Sequence, residues 1–209
     1  MKLQVALDFT DLTSALRVAN AVQECVDILE AGTPLIKAEG MRAVKALTSF
    51  SLPVCADLKI MDVGKLETDL AFDSGASIVT VCASAEVETI EDVILTAAKR
   101  SGKVMIDFIG LTGAELEVRL KQWDSYVTSH GLADVVTLCI HTAIDVQHKR
   151  KDYCKELCSQ LKAPVAIAGG ITPYTDIPPT VDVVIVGGYI TRSSSPMTAA
   201  IEMKRRLTV

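Results

Sequence analysis

Residues 53–64 read PVCADLKIMDVG, and the alternation within them decides the fold. Successive side chains of a strand point to opposite faces, so Cys55, Asp57 and Lys59 share one face while Val54, Ala56 and Leu58 share the other. One face is small or polar and the other is apolar. The same split recurs along the chain: Met105 and Asp107 against Val104, Ile106 and Phe108; Thr137, Cys139 and His141 against Val136, Leu138 and Ile140; Ala166, Ala168 and Gly170 against Val165 and Ile167. An open sheet with helices on both sides would be apolar on both faces. A closed barrel that turns its polar side chains inward and packs its outer face on helices accounts for the split, although the run at 26–32 follows it less cleanly.

Outward from that stretch, strand-like runs are predicted at 3–8, 26–32, 53–59, 77–83, 104–110, 134–141, 164–170 and 181–188. Between them lie segments of helical spacing, such as Leu12, Leu16, Ala19 and Val22, or Leu66, Leu70 and Phe72. A last helix over 196–206 has proline at its start and basic residues in its final turn. Eight such units in 209 residues, with no linker or low-complexity tract, predict a single (β/α)8 TIM barrel over residues 1–209 rather than a doubly wound sheet.

A chain that is 49% hydrophobic and 22% charged has the composition of a globular protein. A net charge of −5 argues against a general nucleic-acid binder, which needs a basic face, but leaves room for one small phosphorylated metabolite. No run approaches the roughly 18 apolar residues of a membrane span, and MKLQVALDF leads directly into a strand, so neither a membrane segment nor a secretory leader is expected. The six cysteines lie mostly in apolar runs and read as free thiols of a reducing, cytoplasmic compartment. Cys154 and Cys158 have helical spacing, yet no second pair accompanies them as a zinc site would require.

In such a barrel reactive residues collect at the C-terminal ends of the strands. Read in order, those ends carry Asp8, Glu30, Asp57 with Lys59, Asp107 and His141, followed by Gly169-Gly170 and Gly187-Gly188. Buried charges are costly unless paired or metal-bound, so this set reads as one site rather than as scattered loop charges. Lys59 beside Asp57 is either a plain ion pair or a protonated amine placed to stabilise an oxyanion. Asp62, three residues on, lies in the loop and can reach sideways. Glu30 and Asp57 are hard oxygen donors on neighbouring strands and suit Mg²⁺. His141 ends an inward face and reads as an acid or base, with a satisfied core histidine as the alternative; His130 and His148 fall in polar stretches. The glycine pairs let backbone amides approach a phosphate where a side chain would obstruct it.

The segments LQVALD (3–8), EAGTPLIKAEG (30–40), ADLKIMDVG (56–64), GASIVTV (75–81), IDFIG (106–110), HTAID (141–145), AIAGGI (166–171) and VIVGGYI (184–190) resemble successive strand ends of the hexulose-6-phosphate synthases, over essentially the whole chain. That family belongs to the orotidine-monophosphate decarboxylase superfamily, whose D-x-K-x-x-D motif falls on Asp57, Lys59 and Asp62. The resemblance implies a homodimer in which Asp62 completes the neighbouring subunit's site. It also implies an aldehyde-lyase that joins formaldehyde to D-ribulose 5-phosphate through a Mg²⁺-stabilised enediolate. In that scheme His141 is the base, Lys59 stabilises the enediolate, and Asp8, Asp107 and Asp62 position hydroxyls and the lysine.

The related keto-gulonate-phosphate decarboxylases carry Glu at Asp107, Arg at Ile144, Thr at Ala168 and Arg at Gly188, and all four positions here are synthase-like. The chain departs from the synthases in the segment TAIDVQHKRK after His141, with Ala143 for glycine and Val146 for an acidic residue. VCASAEVE (81–88) and the proline-rich loop 172–180 are further departures. Rival readings are the decarboxylase or a related sugar-phosphate lyase, an epimerase, which does not need the D-x-K-x-x-D arrangement, and a barrel that binds sugar phosphate without turning it over.

Overall fold

The computed structural model describes residues 1–142 and 153–208, with side chains described except at 153–155. Eight parallel strands close in sequence order into a barrel: β1 (Lys2–Leu7), β2 (Ile28–Ala31), β3 (Val54–Ile60), β4 (Ile78–Cys82), β5 (Lys103–Asp107), β6 (Val136–His141), β7 (Val165–Ala168) and β8 (Val183–Val186), which returns to pair with β1. Around them lie α1 (Leu12–Val22), α2 (Thr33–Glu39), α3 (Arg42–Leu47), α4 (Gly64–Asp73), α5 (Val87–Lys99), α6 (Gly113–Ser129), α7 (Tyr153–Gln160), α8 (Gly188–Thr191) and α9 (Pro196–Thr208). All eight expected strands are present; β1 and β3 keep their expected length, shifted by one residue, and the other six are shorter than their patterns. Among the described residues, no helix is long and apolar enough to cross a membrane.

The two strand faces bury in two separate clusters. Inside the barrel Ala6, Ile28, Cys55, Ile78, Met105, Cys139, Ala166, Ala168, Val183 and Ile185 pack on one another. Outside it Val54, Ala56, Val104, Ile106, Val136, Leu138, Val165 and Ile167 pack against the helices. β2 obeys the same rule, with Ile28 in the inner cluster and Leu29 and Ala31 in the outer one. The inward rows of β2, β3 and β5 run from apolar to charged, Ile28 to Glu30, Cys55 to Asp57 and Met105 to Asp107, and β6 ends at His141, so these strands deliver polar groups to one mouth.

The helices largely follow their patterns. Asp11 caps α1 by accepting the Ser14 amide at 2.7 Å, and α9 begins at Pro196 and carries Arg205 and Arg206 in its last turn. α4 is the exception. The spacing of Leu66 and Leu70 suggests a core-facing stripe, but both are exposed, and Gly64, Thr68 and Ala71 are buried instead. A Cβ at Gly64 would lie 2.6 Å from the Thr89 carbonyl oxygen, so α4 packs too closely on α5 for large side chains to lie between them. The leucines, with Met61 and Val63, form an exposed apolar surface beside Asp62.

Candidate active site

β3 carries the centre, and it does so through a local irregularity. Ala56 pairs with Val79, but the next registered pair is Ile60 with Val81, so three residues of β3 face Thr80 alone. Within this bulge Lys59 takes a left-handed backbone, with φ of 50°. Its ammonium lies 2.6 Å from Asp57 Oδ2 and 3.6 Å from Asp107 Oδ2. The same Asp57 oxygen accepts the Thr33 hydroxyl at 2.6 Å and the Thr33 amide at 3.3 Å, and Asp57 Oδ1 accepts the Thr80 hydroxyl at 2.9 Å. On the far side Asp107 faces His141 Nδ1 at 2.9 Å and accepts the Ile109 amide at 2.9 Å. Asp57, Lys59, Asp107 and His141 thus form one continuous chain across β3, β5 and β6.

Electrostatics gives the members different states. Burial alone would raise Asp57, but Lys59 and the hydrogen bonds from Lys59, Thr33 and Thr80 hold it below the usual aspartate range. Burial works to lower Lys59, and Asp57 and Asp107 override it, so its proton is held more tightly than in an ordinary lysine. Because Nδ1 of His141 is engaged by a carboxylate, Nε2 is the nitrogen left to exchange protons, and among the described residues it has no partner.

Glu30 is the unbalanced group. It is buried, and burial followed by the charge of Asp57 raises it well above the usual glutamate range, with the contact from Gln4 Nε2 opposing. A divalent cation between Glu30 and Asp57 would remove both penalties, and the donors are hard oxygens of the kind Mg²⁺ takes. The buried Gln4 Oε1 on the same inward row has no partner among the described residues. The pair therefore fits the ion. Asp107, Cys139 and His141 also bring O, S and N donors within 4.8 Å of one another. Burial and then Asp107 push the Cys139 thiol well above its usual range, so the sulfur stays protonated and the trio reads as an acid–base group rather than a cation site.

Asp8 stands exposed at the mouth, its carboxylate between Gly32 and Gly187, and it is raised by crowding from the surrounding protein and then by Asp57. Gly169-Gly170 and Gly187-Gly188 follow the adjacent strands β7 and β8. Asp62 does not join the cluster of its own chain: it is exposed, and its Oδ1 accepts the Val63 amide at 2.7 Å. His130 stacks on Tyr126 at the end of α6, away from the site. Ile144, Ala143, Val146 and His148 lie outside the described residues, as does the side chain of Cys154.

Four contributors escape the sequence reading. Thr80 and Gln4 share the inward parity of β4 and β1 and were open to the same rule that found Asp57. Thr33 opens α2 and has no pattern of its own. Arg192 lies one helical turn beyond Gly188, and its guanidinium folds back to within 3.3 Å of where a Cβ at Gly188 would stand. A cavity of about 840 Å³, lined by Ile28, Ile78, Met105 and Val183 among others, opens at the opposite, N-terminal end of the barrel and holds none of these groups.

Comparison with known proteins identifies the family. The orotidine 5′-phosphate decarboxylase / HUMPS family matches residues 1–203. A 3-hexulose-6-phosphate synthase from Bacillus subtilis is 35% identical, over 98% of this chain and 98% of its own length. The solved structure of 3-hexulose-6-phosphate synthase from Salmonella typhimurium superposes with a TM-score of 0.86 at 34% identity, covering 100% of this chain and 99% of that one. A 3-keto-L-gulonate-6-phosphate decarboxylase from Vibrio cholerae gives a TM-score of 0.80 at 26% identity, covering 99% and 97%.

Proposed function

The chain belongs to the orotidine 5′-phosphate decarboxylase / HUMPS family and is a lyase-type enzyme, and from that premise we propose that it joins formaldehyde to D-ribulose 5-phosphate to give hexulose 6-phosphate. The observation that carries the proposal is the unbroken chain Asp57–Lys59–Asp107–His141, which sets a base and a fixed positive charge on opposite sides of one carboxylate. His141 Nε2 takes the C1 proton of ribulose 5-phosphate, while Asp107 holds the ring by Nδ1 and stabilises the imidazolium that forms. The negative charge that develops on oxygen lies against the Lys59 ammonium, which cannot quench it by losing its proton because two carboxylates hold that proton. C1 then attacks the formaldehyde carbon, a carbon–carbon bond forms, and the new alkoxide takes the proton from His141, which returns to its starting state. Glu30 and Asp57 would hold Mg²⁺, which would supply further positive charge to stabilise the enediolate.

Asp8 is placed to orient substrate hydroxyls. Gly169, Gly170, Gly187 and Gly188 offer backbone to the phosphate, and Arg192 adds a cation beside Gly188. The exposed Met61, Val63, Leu66 and Leu70 support a homodimer built on this face, with Asp62 at its edge reaching the partner's mouth. The decarboxylase reading has the arrangement against it: Asp107 stands where that enzyme has a longer Glu, Ala168 is packed inside the barrel, and Gly188 has no side chain to clamp with. A non-catalytic barrel would have no use for an oriented histidine beside a carboxylate-locked lysine.

The test is formaldehyde consumption by purified protein with ribulose 5-phosphate and Mg²⁺, run beside CO₂ release from 3-keto-L-gulonate 6-phosphate. Formaldehyde loss that EDTA abolishes is expected. CO₂ release without formaldehyde loss would transfer the site to the decarboxylase, and silence in both would remove the proposal.

A further inference from the structure

A lysine with φ of 50° in the middle of a strand does not hold itself in that conformation. Side chains crowd the following carbonyl there, and a regular strand would keep β3 in step with β4. Something must prefer the bulge, and Thr80 is the residue it closes on. The Thr80 side chain, 3% exposed, does two things at once: its hydroxyl donates to Asp57 Oδ1 at 2.9 Å and accepts the Lys59 backbone amide at 2.8 Å. The first bond fixes the carboxylate that the ammonium contacts. The second gives the Lys59 N–H the partner that the slipped ladder has taken from it.

We infer that Thr80 is a positioning residue, a hydroxyl lock on the β3 bulge that aims the Lys59 ammonium between Asp57 and Asp107. This rests on Lys59 being the charge that stabilises the oxyanion. Thr33 has only part of this role: its hydroxyl binds Asp57 Oδ2, lies 2.9 Å from the Asp57 carbonyl oxygen and meets Lys59 Nζ at 3.3 Å, but the Lys59 backbone amide goes to Thr80. Without the lock, the Lys59 amide loses its acceptor and the bulge loosens locally. The ammonium then moves along the strand, away from Asp107. A displacement of about 1 Å in a group that must meet a developing charge costs on the order of 10²-fold in rate, with little effect on ground-state binding.

Two variants separate the hydroxyl from the packing. Thr80→Val keeps the volume and removes both hydrogen bonds, whereas Thr80→Ser keeps the hydroxyl and removes a methyl group. Thr80→Val is expected to lower kcat roughly 10- to 100-fold with KM for ribulose 5-phosphate within about twofold of wild type. Thr80→Ser should stay within a few-fold of wild type. Hydrogen exchange gives a readout independent of turnover: the Lys59 amide should be protected in the wild type and in Thr80→Ser and exposed in Thr80→Val, with protection elsewhere in β3 and β4 unchanged. If the wild type proves inactive toward ribulose 5-phosphate, the functional reading falls, and the exchange pattern still decides whether the lock exists. Thr80→Val with wild-type kcat and a protected Lys59 amide would overturn the inference. So would equal losses in both variants, which would reduce Thr80 to packing.

Discussion

The mouth of the barrel divides into two halves that solve different problems. From β2 to β6 it is lined by charge: Asp57, Lys59, Asp107 and His141 are held by one another and by threonine hydroxyls, and Glu30 stands beside them against Gln4. From β7 to β8 it is lined by glycine backbone, with Arg192 folded over Gly188. Charge is needed where electrons move, because a developing oxyanion gains most from charges fixed beforehand. Bare backbone is needed where a bulky anion must approach closely, because a Cβ would hold it off. The first half should therefore be sensitive to losing a charge and the second to gaining an atom, and each can be broken without the other.

The largest effect is expected in the charged half. Lys59→Ala removes the ammonium that bridges Asp57 and Asp107, and kcat should fall roughly 10³-fold or more. The far-ultraviolet circular dichroism should stay near wild type, because the side chain lies at the mouth and not in either apolar cluster, while the melting temperature should fall modestly as Asp57 and Asp107 lose their shared cation. Near-normal turnover in this variant would sink the assignment of Lys59 and, with it, the division of the mouth.

The two halves also differed in how much of them the sequence disclosed. Parity alone placed Asp57, Asp107 and His141 on the inner face, because a period of two survives any error of a residue or so in strand ends. Lys59 came out inward as well, but its meeting with Asp107 depends on a bulge that no alternation pattern records, and Thr80 gains its role only through that bulge. Leu66 and Leu70 misled for the opposite reason. Helical spacing reports an apolar face and not what covers it, and among the described residues both leucines are left exposed. Asp62 belongs to the same case, since the use proposed for it depends on a second subunit. In the glycine half the paired glycines were legible as a motif, whereas Arg192 became visible only when its side chain folded back along one turn.

A smaller and sterically driven effect is expected in the glycine half. Gly169 has φ of 97°, and a Cβ there would stand 1.8 Å from the Thr142 carbonyl oxygen, at the end of the strand that carries His141. Gly169→Ala must shift backbone against backbone. The cost should be on the order of 3 kcal/mol, or a melting temperature lower by about 6–12 °C in a domain of this size. Calorimetry is the check, and it inverts the result for Lys59→Ala: stability moves first and chemistry follows. A melting temperature equal to wild type would mean that β7 does not approach Thr142 so closely.

The smallest effect tests whether the charged half is complete without its cation. Glu30 in the metal-free fold keeps its proton to higher pH than it does in the unfolded chain. Over that window the native state binds more protons, so this contribution to stability is whole below the usual glutamate range and is lost as pH rises through the folded value. Asp57, held low by Lys59 and its hydrogen bonds once burial is overcome, runs the other way: its contribution is present above the usual aspartate range and lost as pH falls through its folded value. Glu30→Gln deletes the first and leaves the second. Without metal, the variant should melt above the wild type at neutral pH, and the gap should close as the pH is lowered below the glutamate range. Mg²⁺ should then raise the wild type, by about 2.7 kcal/mol at a hundredfold excess over its Kd, and leave Glu30→Gln nearly unmoved. Equal Mg²⁺ responses in both proteins would take the ion away from Glu30. A wild-type melting temperature flat across this range would mean that the charge of Glu30 is already balanced within the chain, leaving the charged half with no need of a cation at that position.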